Sequence, residues 1–220
     1  EEGRYLKTDE RPRDQLGAMS MAFRDCGTAT TEGVVPMPLL QGRCVGGATA
    51  INSGIIWRMP DDVRRLWSDE HGLGAMVGRE LDLAYEHIER ELEVTETAPR
   101  LWGGNAELMA EASARLGLLG KPITRNAARC QGTAQCLQGC PGEARQSMDV
   151  SYVPRAMRDG ARLSTGMRVD RVITEWGRAV GVEGTRVDPV TRAALGTFRV
   201  MARREVVLAA SAVQTPVILR

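Results

Sequence analysis

Nine consecutive residues, Gly46-Gly47-Ala48-Thr49-Ala50-Ile51-Asn52-Ser53-Gly54, constrain this chain more than any other stretch. Adjacent glycines carry no Cβ, so their peptide N–H groups can approach an anion closely. The small and hydroxylated residues behind them keep that approach open, and Asn52 adds a side-chain amide. Such a stretch suits a pyrophosphate followed by a planar ring. It suits equally a glycine-rich turn packed against a neighbouring strand, because many such loops serve backbone geometry alone.

Around this stretch the periodicity predicts a mixed architecture. Residues 1–40 are irregular, and residues 61–70 are polar with a short helix expected. Residues 79–94 place Leu81, Ala84, Tyr85, Ile88 and Leu92 on one helical face. Asn105 is expected to cap a second helix, with Leu108, Ala112 and Leu116 inward and Gly117 closing it. Residues 125–147 read as a loop with three cysteines, and residues 153–159 as one or two helical turns. From Met167 the period changes to two. Residues 167–175 and 179–187 are expected to form a hairpin across Trp176-Gly177-Arg178, followed by a strand at 197–202. Residues 206–210 are wholly apolar, as expected of a strand buried on both faces. Gly72, Gly74 and Gly78 loosely imitate a dinucleotide fingerprint, but the polar residues before them are no buried strand, so they are assigned to a turn.

Several function classes are excluded by composition. Twenty-nine Lys and Arg against 28 Asp and Glu leave a net charge of +1, which gives no electrostatic footprint for nucleic acid. No apolar run approaches the ~20 residues that span a bilayer, and no secretory signal opens the chain. Five cysteines, an odd number, argue against a disulfide framework and for a reducing, cytoplasmic setting, with peripheral membrane association left open. Cys130, Cys136 and Cys140 share one loop and are candidate iron–sulfur ligands, though small buried packing groups are the preferred reading. His71 and His87 lie far in sequence from the glycine stretch and are expected at the surface. The visible sequence offers binding residues and no obvious catalyst.

Four segments together resemble one family. GRCVGGATAINSGIIWR is similar to the first signature of glucose–methanol–choline oxidoreductases, and VVLAASAVQTP to the second. Between them, CLQGCPGEARQSMDVSYVPRA and RVDRVITEWGRAVGVEG resemble the family's middle region. The resemblance implies an α/β fold: an FAD-binding, Rossmann-like domain with a β-meander, interrupted by an α+β substrate or cap domain. Residues 1–60 and 151–220 would belong to the FAD domain, and 61–150 to the substrate domain. It further implies FAD contacts from Glu1 to the adenosine ribose, and from Val169 to adenine. Gly46, Gly47, Ala48 and Thr49 would line the pyrophosphate and ribityl chain, with Asn52, Ser53 and Ile55 close to the isoalloxazine. Ser211 would stand at the turn of the second signature.

Two departures from the family pattern stand out. Ala48 replaces a usual Ser, and Ser211 replaces a usual Gly, which is expected to crowd the flavin or strain the backbone. The chain is expected to be an internal piece, with the phosphate-binding glycine fingerprint before Glu1 and the catalytic His after Arg220. The implied activity is oxidation of a small-molecule alcohol by hydride transfer to FAD. Electrons would pass to oxygen, a quinone or another carrier rather than NAD, with a dehydrogenase preferred to an oxidase. An iron–sulfur flavoprotein subunit, a flavin-fold hydroxynitrile lyase and a non-catalytic flavin binder are the alternatives.

Overall fold

The computed structural model describes residues 1–220. Six helices and five strands follow in the order α1 (Gln15–Ala22), α2 (Asp61–His71), α3 (Arg79–Glu91), β1 (Thr95–Glu96), α4 (Gly104–Arg115), β2 (Thr124–Arg125), α5 (Tyr152–Arg158), β3 (Met167–Glu175), β4 (Arg178–Val187), β5 (Ala194–Met201) and α6 (Ser211–Leu219). This is a mixed α and β chain, and no helix is long and apolar enough to cross a membrane.

The meander β3-β4-β5 is antiparallel throughout. Its first turn has two residues, Trp176 at φ +51° and Gly177 at φ +77°. Positive φ at both positions matches the right-handed twist of the flanking strands, which is why this turn type closes tight hairpins. Val172 stands opposite Val182, and Val182 opposite Val200. A register shift lies between Val169 and Arg171. There β4 carries Gly184, where a Cβ would overlap the Arg168 carbonyl.

The helical part is fastened by charge more than by apolar packing. Asp61 and Asp62 open α2, where carboxylates suit the positive end of the helix dipole, and Gly72 closes it at φ +65°. Arg64 of α2 clasps Asp82 of α3 at 3.0 and 2.7 Å. Arg58 grips Glu89 at 2.7 and 2.5 Å. Of the predicted α3 face only Leu92 is fully buried, while Ile88 is 42% exposed.

The core sits elsewhere. Leu6, Ala22, Phe23, Cys44, Ala50 and Ile51 form one buried cluster, with Met19 and Met21 against it. Asp14 caps α1 by accepting from the Gly17 N–H at 2.7 Å, so Ala18 and Ala22 face the same interior. The core thereby ties the N-terminal segment, α1 and the glycine stretch together.

Two expectations are corrected. Residues 206–210 form no strand and Val207 is 77% exposed; a strand needs a neighbour for its backbone groups, and none lies alongside. Helix α4 begins at Gly104 after Gly103, without a side-chain cap from Asn105. Its Leu108 and Leu116 are exposed because no element packs on that face.

Candidate functional site

The glycine stretch folds as a left-handed turn leading into one short 3₁₀ turn, Gly47–Ala50. Gly46 and Gly47 have φ of +90° and +53°. A Cβ on Gly46 would stand 2.8 Å from Asp149 Oδ1, whereas one on Gly47 would meet nothing within 4 Å. One side of the turn is therefore crowded by protein and the other lies open. The Thr49 hydroxyl donates to the Gly46 carbonyl at 2.6 Å and accepts from the Met148 N–H at 3.0 Å. Ala48 is exposed, so the missing family hydroxyl leaves a gap on the open side while Thr49 is engaged inward.

Beyond the turn, the Asn52 side-chain oxygen accepts from the Gly54 N–H at 2.8 Å, a local turn that Asn favours. The peptide N–H groups of Gly46, Ala48, Asn52 and Ser53 find no acceptor within the chain. Unpaired N–H groups along an open turn form a donor set for an anion.

Three side chains from distant sequence hold this shape from behind. Buried Arg145 donates to the carbonyls of Ala50 and Asn52. Arg125 donates to the Ser53 carbonyl, through Nε at 2.9 Å, and to the Cys136 sulfur at 2.9 Å. Asp149, beside Gly46, pairs with Arg11 at 2.5 Å with both side chains almost fully covered. The Tyr5 hydroxyl donates to the Asp149 carbonyl at 2.8 Å. Burial, reinforced by Asp149, raises the Tyr5 phenol above its ordinary value. Burial lowers the Arg145 guanidinium from its usual value and pushes the Cys44 thiol up to about 12.

The second small-residue segment leads into α6. Ser211 adopts φ +81°, the left-handed backbone foreseen for a residue standing where glycine is usual. Its hydroxyl accepts from the N–H groups of Val213 and Gln214 at 3.3 and 3.1 Å, which caps α6. Gln214 Nε2 then donates to Gln41 Oε1 at 3.2 Å. That single bond ties the start of α6 to the segment five residues before Gly46.

Glu1 and Val169 lie on a third side. The Glu1 carbonyl accepts from Met167 N–H at 2.9 Å, two residues before Val169, and its carboxylate accepts from the Gly3 N–H at 2.7 Å. Val45 N–H donates to the Arg4 carbonyl at 2.9 Å, which lays this segment beside the glycine stretch.

Cys130, Cys136 and Cys140 do not gather into a metal site, and no trio of His, Cys, Asp or Glu does so. Cys130 sulfur accepts from the Gly132 N–H at 3.4 Å, while Cys136 faces Arg125. His71 is exposed at the end of α2, and His87 stands 3.6 Å from Glu91 on the outer surface of α3. Next to Ser53 and Ile55 opens a cavity of about 760 Å³, lined mainly by apolar groups including Leu101, Met109, Leu118 and Ile123.

The family model described as GMC oxidoreductase matches residues 19–220. The chain belongs to the GMC oxidoreductase family. An uncharacterized GMC-type oxidoreductase of Mycobacterium tuberculosis is 35% identical over 221 residues, 100% of this chain and 34% of that relative. A second uncharacterized GMC-type oxidoreductase, from Sinorhizobium fredii, is 30% identical over 220 residues, 100% of this chain and 43% of its own length. A long-chain-alcohol oxidase of Arabidopsis thaliana is 27% identical over 173 residues, 79% of this chain and 23% of that protein. The chain thus spans about a third of the length of the first of these relatives.

Of the site residues named from sequence, all but Glu1 fall inside the matched span of this GMC oxidoreductase chain. Sequence reasoning missed Arg145, Arg125, Asp149 and Arg11. The segment containing Arg145 and Asp149 was noticed, but nothing in its pattern singles out either residue. Arg145 acts on backbone carbonyls 93 and 95 positions away and Asp149 pairs with a side chain 138 positions away, and no local period reports that.

Proposed function

We propose that the complete protein oxidises an aliphatic alcohol using FAD held on the glycine stretch. The observation that carries this reading is the row of four unpaired peptide N–H groups at Gly46, Ala48, Asn52 and Ser53 on the open turn, and a Gln41–Gln214 bond ties α6 to the segment that leads into it. The donor set, and the open space over Gly47, fit an anionic pyrophosphate. In this reading Gly46, Gly47, Ala48 and Thr49 border the pyrophosphate and ribityl chain, with Asn52, Ser53, Ile55 and Ser211 toward the ring. Glu1 and Val169 serve the adenosine end. Residues 1–60 and 151–220 belong to the FAD-binding part and residues 61–150 to the substrate part.

FAD, when bound, supplies a two-electron acceptor for the carbinol hydride. This chain's own residues bind, orient and exclude water. Arg145, Arg125 and Asp149 fix the loop backbone before substrate arrives, so its donors are preorganised. The apolar cavity beside Ser53 and Ile55 receives the hydrocarbon part of the alcohol and keeps water from it. A hydride leaving the carbinol carbon and a proton leaving its hydroxyl turn the alcohol into a carbonyl compound. Neither His71 nor His87 lines the cavity, so neither is placed to take the hydroxyl proton. Electrons then leave for oxygen, a quinone or a protein carrier, in a cytoplasmic setting suited to five free thiols.

The test is the visible spectrum of the purified complete protein. Yellow protein that bleaches anaerobically with a long-chain primary alcohol is expected, and the bleaching also excludes a lyase. Protein that stays colourless and takes up no FAD sinks the reading.

A further inference from the structure

Behind the glycine stretch lies a cation with no carboxylate of its own. Arg145 is 2% exposed, yet it takes part in none of the ion pairs of the chain. Its two terminal nitrogens go to the carbonyls of Ala50 and Asn52, and its Nε has no partner. Asp149, the acid whose charge it feels, is committed to Arg11. The further polar group beside it is the Asn52 side-chain oxygen, 3.5 Å from its Nη1. Arg11, Arg145 and Asp149 therefore bring two positive charges and one negative into a covered space.

An uncompensated buried ion is costly to a fold, and a guanidinium does not escape by losing its proton. The surrounding backbone is nevertheless shaped to admit it. A Cβ on Gly54, at φ +70°, would stand 3.0 Å from Arg145 Cδ and 3.2 Å from Cγ. The last glycine of the motif is thus the notch through which the Arg145 stem passes.

We propose that Arg145 is a positioning residue for the flavin: it clamps the Ala50–Asn52 turn and supplies the positive charge that meets the negative charge brought by hydride transfer. This rests on the reading that the glycine stretch holds FAD. A hydride carries two electrons and one proton into the site, which gains one negative charge. A fixed cation in a low-dielectric surrounding favours that charged state.

The experiment uses the complete protein with FAD, as wild type, Arg145→Gln and Arg145→Lys. Arg145→Gln keeps a hydrogen-bond donor and removes the charge; Arg145→Lys keeps the charge. Two quantities are read besides activity: the flavin midpoint potential, and the affinity for sulfite, which adds to the flavin as an anion. Arg145→Gln is expected to weaken sulfite binding about tenfold and lower the potential by about 30 mV, the equivalent for a two-electron couple. Arg145→Lys is expected to stay within about threefold of wild type in sulfite affinity. An Arg145→Gln protein that holds FAD with unchanged potential and sulfite affinity overturns the proposal. If Arg145→Gln fails to hold FAD, retention by Arg145→Lys supports the charge role, and failure of both variants overturns it in favour of guanidinium packing. Wild-type protein without FAD would instead remove the function proposed above, a separate result.

Discussion

In the meander, Val172 faces Val182 and Val182 faces Val200, each pairing made with the next strand along the chain. In the glycine stretch, Ala50 and Asn52 are held by Arg145, whose own position lies 95 and 93 residues further on. The first region closes locally, through backbone ladders that any well-patterned strand would form. The second has no regular backbone partner and is moulded by three side chains from distant sequence, Arg145, Arg125 and Asp149. In the sheet the central strand β4 is paired on both sides, so its backbone groups are taken up by its neighbours. The moulded loop leaves N–H groups of its own unpaired, which is the property a binding site needs.

Hydrogen exchange on the complete protein can break this comparison, because it reads each region separately. The largest effect is expected for Asp149→Ala, which leaves Arg11 buried without its partner at a cost of about 3–5 kcal/mol. Amides at residues 41–55 should exchange faster while those at 167–201 keep their rates. Equal acceleration in both would show that the two regions open as one unit. Gly54→Ala comes next. Its φ of +70° and the Asn126 Oδ1 atom 2.6 Å from the new Cβ oppose any side chain there. A loss of about 2–3 kcal/mol, again confined to the loop, is expected.

Ser211 sharpens the contrast with a paired test. Ser211→Ala keeps the left-handed φ and loses the cap, so thermal unfolding should report a loss of about 1 kcal/mol. Ser211→Gly loses the same cap but relieves the backbone, and a net change below about 0.5 kcal/mol is expected. A larger loss for the glycine variant would mean that the hydroxyl does more than cap α6. The smallest effect, and of opposite sign, belongs to the meander. Trp176 is fully exposed at φ +51° in the first hairpin turn, so Trp176→Asn removes no packing and suits the turn better. It should slow exchange at residues 172–182 by an amount equivalent to about 0.5 kcal/mol. Faster exchange there would show that the indole supports the hairpin.

What the sequence disclosed follows the same division. Met167–Glu175, the Trp176-Gly177 turn, Asp61–His71 and Tyr152–Arg158 were readable because their signals are local: alternation, a turn dipeptide, acids after a proline. The glycine stretch was readable as a motif, since small residues in a row are conspicuous, and so was the strain at Ser211. The exposed course of residues 206–210 was not readable, because apolar composition cannot tell whether a neighbouring strand is present. Neither were the loop's supports. Arg145 and Asp149 look in sequence like ordinary surface charges, and only the fold shows that they are buried and aimed at backbone.

Cys44 gives the loop a built-in clock. Its thiol is fully covered among Leu6, Ala22, Phe23, Ala50 and Ile51, and burial lifts it to about 12, so at neutral pH it is both hidden and protonated. Alkylating reagents can mark it only in the moments when the seat of residues 44–51 lifts off α1, whereas the other four cysteines are partly open to solvent from the outset. The labelling rate at that one sulfur therefore counts openings of the seat, and a molecule that settles there would be seen as a slowing of the count.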